Sequence, residues 1–438
     1  KESMLTTVRG AATTRDMIFG VAFEYGLQRV VVPFMGESLP VEYELMRSLA
    51  IVLEEKRLTI GIIKTDAQLM TPGAFPGSGS GEQPLVAELK KQFNVLDVDP
   101  AQPIEGDYDV LLAVQPSSLG PQEMGHLVAA IRKGQPTAIF EDPFPLTSPA
   151  PGTDQPKQQG GQMPFMRQPP APKGDLGALW KLLGIRMAQL PAQRQGLGGA
   201  PSGGTTAIVW QDYTPHPEDG DLQNEYVWVS PACDTAGVPL NEEEPISSGL
   251  QKLLFLYPGA IEDIGTDIGR RFVPLVTMGR RTGTVRFDDC VTRNLFGQMD
   301  LRSRAQIKEF EKPTGDPYVL AAALRIEAEL EPAAEDVSQS ESERAAAIKV
   351  VVVSDMDILA GVFFLLRERA SFFGDRFAKW QVDNVPFVLN ILDDLAEDTR
   401  FIDIRKRRPV HRELTAIKQV SDAAKRNRDS ARKEAENK

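Results

Sequence analysis

The pattern of apolar and polar positions changes along this 438-residue chain. In its first part, short apolar runs alternate with segments whose apolar residues recur every three to four positions. The first kind of segment indicates buried strands and the second indicates amphipathic helices. The predicted strands are 58–63, 95–98, 110–114 and 137–140, and the predicted helices are 42–53, 85–93, 123–132 and 176–183. This alternation predicts a parallel sheet with helices on both faces.

The helix 42–53 carries a set of apolar side chains on one face, which we expect to pack on the core. These are Tyr43, Met46, Leu49, Ala50 and Leu53. Before it, the segments 17–25 and 29–34 flank Gly26 and predict a β-hairpin.

The second half has a different pattern of apolar positions, with short β-like runs and few helical patterns from about 205 to 330. We predict strands at 207–210, 226–229, 253–256, 272–278, 284–287 and 318–326. The run 348–353 then predicts a further strand buried on both faces. The segment 383–396 predicts a helix capped by Asp383 or Asn384, and 401–404 predicts a last strand.

These patterns predict an α/β fold: a mainly parallel sheet with flanking helices, similar to flavodoxin-like or class I glutamine-amidotransferase-like sheets, with a β-rich middle segment. We expect a hairpin-and-helix leader at 1–55, belonging to a truncated amino-terminal domain, an α/β domain at 56–404 and a basic helical tail at 405–438. The tail has twelve Lys and Arg against five Asp and Glu. It is either a solvated helix or an arm that meets anionic lipid or an acidic partner.

The segment 148–174 interrupts the α/β pattern, because it is rich in Pro, Gln and Gly. Such a composition predicts a disordered surface loop. It nevertheless contains three apolar side chains, and we hypothesise that they dock onto a partner or onto the domain's own cleft. They are Met163, Phe165 and Met166.

Composition excludes several functions. A net charge of −12 argues against nucleic acid as a partner. Two cysteines, Cys233 and Cys290, supply neither a disulfide framework nor a zinc site, and they leave the compartment open. No apolar run reaches the roughly 18–20 residues that span a bilayer. No signal peptide is evident, and we expect the chain to be a piece of a longer, membrane-anchored protein.

Polar residues follow three of the predicted strands. Ser117 and Ser118 come after the strand 110–114, Glu141 and Asp142 after 137–140, and Asp355 and Asp357 after 348–353. The carboxyl ends of parallel strands meet at one edge of a sheet, where ligands bind. We therefore predict these six residues as a ligand-binding or partner-binding site.

The pair Asp355 and Asp357 has a catalytic interpretation as well. Two aspartates after a buried strand are the arrangement in which haloacid-dehalogenase-type phosphatases hold a nucleophile, an acid/base and magnesium. Those enzymes have a Thr soon afterwards, whereas Ile358 and Leu359 stand here. The alternative is that one carboxylate caps the following helix.

Other catalytic patterns fail. An amidotransferase needs a Cys nucleophile with a His, yet no Cys precedes Cys233 and the three histidines, His126, His216 and His411, lack ligand spacing. A Gly-rich segment with Gly77, Gly79 and Gly81 lacks the Gly-Lys-Ser/Thr of a phosphate loop. We predict no enzymatic activity, no cofactor and no bound metal.

Several segments resemble the gliding-motility auxiliary family. They are Val351-Val-Val-Ser-Asp-Met-Asp-Ile-Leu359, Asp383-Asn-Val-Pro-Phe-Val-Leu-Asn390, Phe401-Ile-Asp-Ile-Arg405, Tyr108-Asp-Val-Leu-Leu-Ala-Val-Gln-Pro116 and Phe140-Glu-Asp-Pro143. Members of that family are components of ABC-2 type transport systems. The resemblance implies a non-enzymatic soluble domain on the periplasmic face of the bacterial inner membrane, tethered by segments absent from this chain.

The partners that this resemblance implies are the ABC-2 permease and its associated membrane subunits, or the transported substrate. Two alternatives remain open. One is a domain that binds a carbohydrate or another small molecule in the cleft at the strand carboxyl ends. The other is a magnesium-dependent phosphohydrolase that uses Asp355 and Asp357.

Overall fold

A computed structural model describes most of the chain. The described residues are 2–8, 11–17, 20–32, 40–54, 56–72, 82–157, 169–191, 204–217, 222–234, 237–265, 269–293, 299–327, 346–369 and 380–407. Residues Lys1–Lys406 form one compact unit. The Gly-rich segment with Gly77, the cluster Met163, Phe165 and Met166, and almost all of the predicted basic tail lie outside the described residues.

The strands, in chain order, are β1 (Glu2–Val8), β2 (Ala11–Met17), β3 (Val21–Tyr25), β4 (Gln28–Val32), β5 (Thr59–Ile63), β6 (Asn94–Val98), β7 (Val110–Val114), β8 (Thr137–Phe140), β9 (Ile185–Met187), β10 (Gln189–Leu190), β11 (Thr205–Thr206), β12 (Ile208–Gln211), β13 (Tyr226–Val229), β14 (Leu253–Leu256), β15 (Ile261–Asp263), β16 (Arg270–Thr277), β17 (Thr282–Val285), β18 (Val291–Arg293), β19 (Met299–Leu301), β20 (Lys312–Pro313), β21 (Val319–Ile326) and β22 (Ile348–Val353).

The α-helices are α1 (Val41–Leu53), α2 (Pro84–Lys90), α3 (Pro121–Arg132), α4 (Leu176–Leu183), α5 (Phe287–Cys290), α6 (Arg304–Ile307), α7 (Gly361–Arg369), α8 (Asn384–Leu395) and α9 (Ile402–Arg405). Short 3-10 turns occupy Pro116–Ser118 and Asp357–Leu359.

A nine-stranded mixed sheet organises the large unit, with the order β6-β5-β7-β8-β22-β21-β15-β9 and β16 paired to β21. The strands from β6 to β22 in this order are mutually parallel. Strands β21, β15, β9 and β16 add antiparallel pairs. The predicted α/β class with a mainly parallel sheet is confirmed, and the β-rich middle segment contributes β15, β16 and β21 to the same sheet.

Both faces of this sheet are covered, which explains its uninterrupted apolar strands. In β7, Val110, Leu112 and Val114 face a core that includes α2, α7 and α8, while Leu111 and Ala113 face a second core that includes α3 and α4. The predicted boundaries of β7, β8, β13, β14 and β22 match the structure residue for residue.

Two local predictions are wrong. The segment 401–404 is not a strand, because Ile402–Arg405 forms the helix α9, and Ile402 and Arg405 are buried at helical spacing. The predicted core face of α1 is also wrong beyond Tyr43, since Met46, Leu49 and Leu53 are 45%, 40% and 52% exposed.

Buried charge orients α1. Arg47 Nη1 donates to Glu88 Oε1 at 2.8 Å, and Arg47 also pairs with Glu44. From α7, Arg367 Nη1 reaches Glu88 Oε1 at 3.3 Å. The attraction of Arg47 and Arg367 keeps the pKa of Glu88 low despite its burial. Glu88 and Arg367 compensate the charges of Arg47 and Glu44 beneath the helix, so α1 turns its polar side inward.

Candidate functional site

The candidate site lies at the carboxyl-terminal edge of β7, β8 and β22. Ser117 and Ser118 sit in the turn after β7, Glu141 and Asp142 follow β8, and Asp355 and Asp357 follow β22. All six side chains are buried. The structure therefore places the six predicted residues along one edge, because three adjacent parallel strands end there.

Three of the carboxyl groups form a cluster. Asp142, Asp355 and Asp357 each place one oxygen within 4.8 Å of the others. Among the described residues, this is the group of acidic, histidine or cysteine side chains that is close enough to share a cation. None of the three forms an ion pair with Lys or Arg in the described part of the chain.

Every oxygen of this cluster accepts a backbone hydrogen bond. The amides of Phe144 and Met356 donate to Asp142, at 2.7 and 3.2 Å. The amides of Leu256 and Asp357 donate to Asp355, each at 2.6 Å.

The third carboxylate, that of Asp357, accepts hydrogen bonds from a different segment of the chain. The amides of Leu146 and Thr147 donate to Asp357 at 2.7 and 2.8 Å, and Thr147 Oγ1 donates at 2.6 Å. Asp357 thus anchors a turn that comes 210 positions earlier in the chain. The three aspartates tie the loops after β8, β14 and β22 together.

Burial controls the protonation of the cluster. It raises the pKa of Asp142 and of Asp355 well above the usual range, and the neighbouring carboxylates raise both further. Burial also raises the pKa of Asp357 to about 6. Because like charges this close repel one another, proton binding to the cluster is favoured over full ionisation.

Glu141 lies beside this cluster and holds a second loop. Its Oε2 accepts from the amide of Ser117 at 3.0 Å, and its Oε1 accepts from Thr153 Oγ1 at 2.6 Å. Burial raises the pKa of Glu141. The Oγ of Ser117 is buried and has no hydrogen-bond partner among the residues that the structure describes.

Gln115 binds the segment that follows β8 through its side-chain amide. It has a left-handed backbone with φ of 55°, and its Nε2 donates to Asp142 O at 2.8 Å and Pro151 O at 2.9 Å. Its Oε1 accepts from the amide of Asp142 at 3.0 Å. The segment after β8 is thereby fixed over the strand ends.

The capping prediction for Asp383 and Asn384 is wrong. Neither side chain caps α8. Asp383 Oδ2 accepts from the amides of Gln251 and Lys252, at 2.7 and 3.3 Å. Asn384 Oδ1 accepts from the amide of Leu254 at 3.0 Å, and its Nδ2 donates to Leu254 O at 2.8 Å. Both side chains join α8 to β14.

An open cavity of about 360 Å³ lies further along the same edge, at the ends of β5, β6 and β7. Of the predicted residues, Ser118 lines it. Sequence reasoning missed Lys64, Asp66, Asp97 and Lys157. The signal that could have found Lys64 and Asp66 was the polar run that begins at Lys64, directly after the buried strand β5.

No helix in the described part of the chain combines the length and the apolar character needed to cross a membrane.

Comparison with curated protein sequences found no match. Among solved structures, the chain is similar to the exo-beta-1,4-mannosidase Op5Man5 from Opitutaceae bacterium strain TAV5, at 12% identity and a TM-score of 0.26. That match covers 76% of this chain and 36% of the enzyme, so the chain spans about a third of the enzyme's length. A likeness at this level carries no argument about function.

A family model described as an ABC-type uncharacterized transport system matches residues 57–190 and 213–391. The matched segments contain the central parallel strands and all six residues of the candidate site. They also account for well over half of the chain. The chain therefore belongs to this family of auxiliary proteins of ABC-type transport systems.

Proposed function

We propose that this chain is a non-catalytic binding component of an ABC-2 type transport system, which contacts transporter subunits on the periplasmic side of the membrane. Family membership gives the transport system. The resemblance to the gliding-motility auxiliary family supports the compartment and the type of transporter. The observation that carries the binding role is an apolar surface on α1 and on the neighbouring hairpin β3–β4.

We call this surface the α1 face. Seven of the thirteen large apolar side chains that are exposed in the described residues belong to it, and each is at least 40% exposed. They are Tyr25, Leu27, Val31, Val41, Met46, Leu49 and Leu53.

A concentration of exposed apolar side chains on one module is typical of a protein–protein contact surface. Helix α1 also contacts both strands of the hairpin, so the two elements present their side chains together. The charges of Glu44 and Arg47 hold α1 with this side outward. A transporter subunit with an apolar surface is therefore the partner that we assign to the α1 face.

The buried carboxyl groups support a role without catalysis. In the described residues, no Lys joins Asp142, Asp355 and Asp357, although the phosphatase arrangement requires one. All six oxygens of these groups accept hydrogen bonds from backbone amides. Groups engaged in this way stabilise loops.

We expect the double substitution Met46→Glu and Leu49→Glu to reduce binding of the system's own permease at least tenfold. Two carboxylates on the α1 face would have to be desolvated in the complex, which opposes docking. The measurement is recovery of detergent-solubilised permease on the immobilised chain. Because both side chains are exposed, the melting temperature should change little.

The matched control is Val238→Glu with Leu301→Glu, which places the same charges on exposed apolar positions elsewhere. This control should bind the permease as the parent does. Equal recovery by the Met46→Glu, Leu49→Glu variant and the parent would show that the α1 face is not the docking surface.

We further expect no hydrolysis by the purified chain. A screen with p-nitrophenyl phosphate and with glutamine, each with and without Mg²⁺, should give no turnover above buffer, because the buried carboxylates are engaged by the backbone. Turnover that is present in the parent and disappears in Asp355→Asn would contradict the non-catalytic role and favour the phosphohydrolase alternative.

A further inference from the structure

The cavity at the ends of β5, β6 and β7 occupies a special place in the sheet. Strand β5 pairs with β6 on one side and with β7 on the other, all in parallel. The connection that leaves β5 runs to β6, whereas the connection that leaves β7 runs to β8 in the opposite direction, so the direction reverses between β5 and β7. In open α/β sheets, the crevice outside the strand ends at such a reversal is where ligands bind. This position is distinct from the α1 face, so it does not depend on whether that face docks a subunit.

Two ion pairs form the polar walls of the cavity. Lys64 Nζ lies 3.0 Å from Asp97 Oδ2, and Lys157 Nζ lies 3.2 Å from Asp66 Oδ1. Lys157 Nζ also donates to Ser118 O at 2.7 Å. The apolar residues that line the cavity are Ile62, Ile63, Leu69, Met70 and Leu119, and we call them the apolar floor.

Hydrogen bonds fix the shape of the polar side. Thr65 Oγ1 donates to Val114 O at 2.6 Å, which ties the loop after β5 to the end of β7. Ser118 Oγ accepts from the amide of Asp66 at 3.1 Å and donates to Gln115 O at 2.8 Å. The cavity is thus preformed, as small-molecule sites generally are.

The charges in the cavity disfavour an anionic ligand. Each lysine already has a carboxylate partner, so an anion would have to separate an ion pair. The amino end of α3 would also attract an anion. That end already holds a carboxylate, because the amide of Gly120 donates to Glu123 Oε2 at 2.6 Å.

A neutral ligand with several hydroxyl groups can bind to the same charged residues without separating an ion pair. A hydroxyl donates to Asp66 or Asp97 and accepts from Lys157 or Lys64, so neighbouring hydroxyls bridge an ion pair and leave it intact. The C–H face of a sugar ring suits the apolar floor. The volume of about 360 Å³ lies at the lower end of the range of roughly 300–1,000 Å³ for small-molecule sites.

We infer that this cavity binds a neutral polyhydroxylated small molecule, of the size and chemistry of a simple sugar, between the Lys64–Asp97 and Lys157–Asp66 ion pairs. Asp66 and Asp97 accept the hydroxyl protons, and the two lysines donate to hydroxyl oxygens. The ligand is held without any covalent step.

The test is isothermal titration and saturation-transfer NMR on the whole chain, with D-glucose, D-galactose, maltose, sucrose and myo-inositol as neutral probes and inorganic phosphate as the anionic probe. At least one neutral probe should bind, and phosphate should bind at least tenfold more weakly. Failure of every neutral probe, or preferential binding of phosphate, would overturn the inference.

A double variant then locates the site. Asp66→Asn with Asp97→Asn keeps the shapes of both side chains but removes their charges. Binding of the neutral probe should weaken at least tenfold, while phosphate binding should strengthen, because two lysines lose their partners. The matched control is Asp107→Asn, at a residue that is 98% exposed and pairs with Lys56 away from the cavity. Unchanged sugar binding in the double variant, with an unchanged melting curve, would show that the ligand binds elsewhere.

Permease recovery provides an independent readout. The double variant should bind the permease as the parent does, since the α1 face is untouched. If the parent binds the permease but none of the neutral probes, this inference fails and the proposed function stands. If the parent binds a neutral probe but not the permease, the proposed docking fails and the ligand site stands.

Discussion

Replacement of Arg405 with alanine is expected to lower the free energy of unfolding by about 3–5 kcal/mol, because it leaves a fully buried carboxylate without its counter-ion. Arg405 Nη2 donates to Asp393 Oδ2 at 2.6 Å, and both side chains are 0% exposed. The measurement is equilibrium unfolding in urea at pH 7, monitored by circular dichroism.

The size of this effect follows from how many groups Arg405 satisfies. Its Nη1 donates to Asn390 Oδ1 at 2.7 Å, and its Nη2 also reaches Tyr43 Oη at 3.2 Å. Gln92 Nε2 donates to the other oxygen of Asp393 at 2.8 Å. The network joins α1, the end of α2, α8 and α9, so its loss loosens four helices at once.

The matched control is Arg29→Ala. Arg29 pairs with Glu24 at 3.1 Å, and the two side chains are 64% and 66% exposed. Exposed pairs contribute about 0–1 kcal/mol, so this variant should unfold almost as the parent does. If Arg405→Ala also cost less than about 1 kcal/mol, the pair with Asp393 would not be buried in solution.

The second large effect is expected at Asp355. Substitution with alanine leaves the buried amides of Leu256 and Asp357 without acceptors. Two unsatisfied buried donors cost about 1–3 kcal/mol each, so the expected loss is about 2–6 kcal/mol. The same unfolding experiment measures it.

Asp142→Asn should behave differently, because it removes one backbone hydrogen bond from the cluster instead of two. The amide oxygen still accepts from the backbone of Phe144, whereas the NH₂ group cannot accept from the amide of Met356. We expect a loss of about 1–3 kcal/mol at pH 7, smaller than that of Asp355→Ala. A loss as large as that of Asp355→Ala would show that both hydrogen bonds of Asp142 are lost.

The pH dependence has a defined sign. The pKa values of Asp142, Asp355 and Asp357 are higher in the folded chain than in the unfolded chain, mainly because of burial. The folded chain therefore binds more protons at intermediate pH, and the contribution of the cluster to stability falls as pH rises. For Asp357 this window runs from its unfolded pKa of about 4 to its folded pKa of about 6.

We expect Asp142→Asn to flatten this slope, because it removes one of the titrating groups. Asp403→Asn is the control, since the side chain of Asp403 is 92% exposed and should leave the slope unchanged. If the free energy of unfolding of the parent rises with pH over this window, the cluster does not bind additional protons in the folded chain. An equal pH dependence in the parent and in Asp142→Asn would lead to the same conclusion.

The central sheet and the family resemblance were predictable from the amino-acid pattern. Runs such as 110–114 and 348–353 are apolar at every or nearly every position, and a strand of this kind is stable only where both of its faces are covered. Polar residues directly after such strands fall on one edge because parallel strands share a direction. For this reason the amino-acid pattern alone was enough to assign Ser117, Glu141 and Asp355 to a common edge.

Tertiary structure decided the remaining features, because they depend on partners far away in the chain. The sequence shows an apolar stripe on α1, but Glu88 and Arg367 determine that Glu44 and Arg47 face inward. Asp383 and Asn384 have the chemistry of helix caps, yet the backbone of Gln251 to Leu254 lies within reach and takes their hydrogen bonds.

Contacts between distant segments also explain why the sheet edge is filled at Asp355 and Asp357 but has a cavity beside Lys64 and Asp66. Asp355 and Asp357 look catalytic in sequence, but the backbone at Leu146 and at the end of β14 donates hydrogen bonds to their oxygens. Lys64 and Asp66 belong to no recognisable motif, yet β5 lies between β6 and β7 and leaves a cavity there. Local sequence sets the type of each element, whereas pairing between distant elements determines which polar groups are satisfied by the chain and which remain open to a ligand.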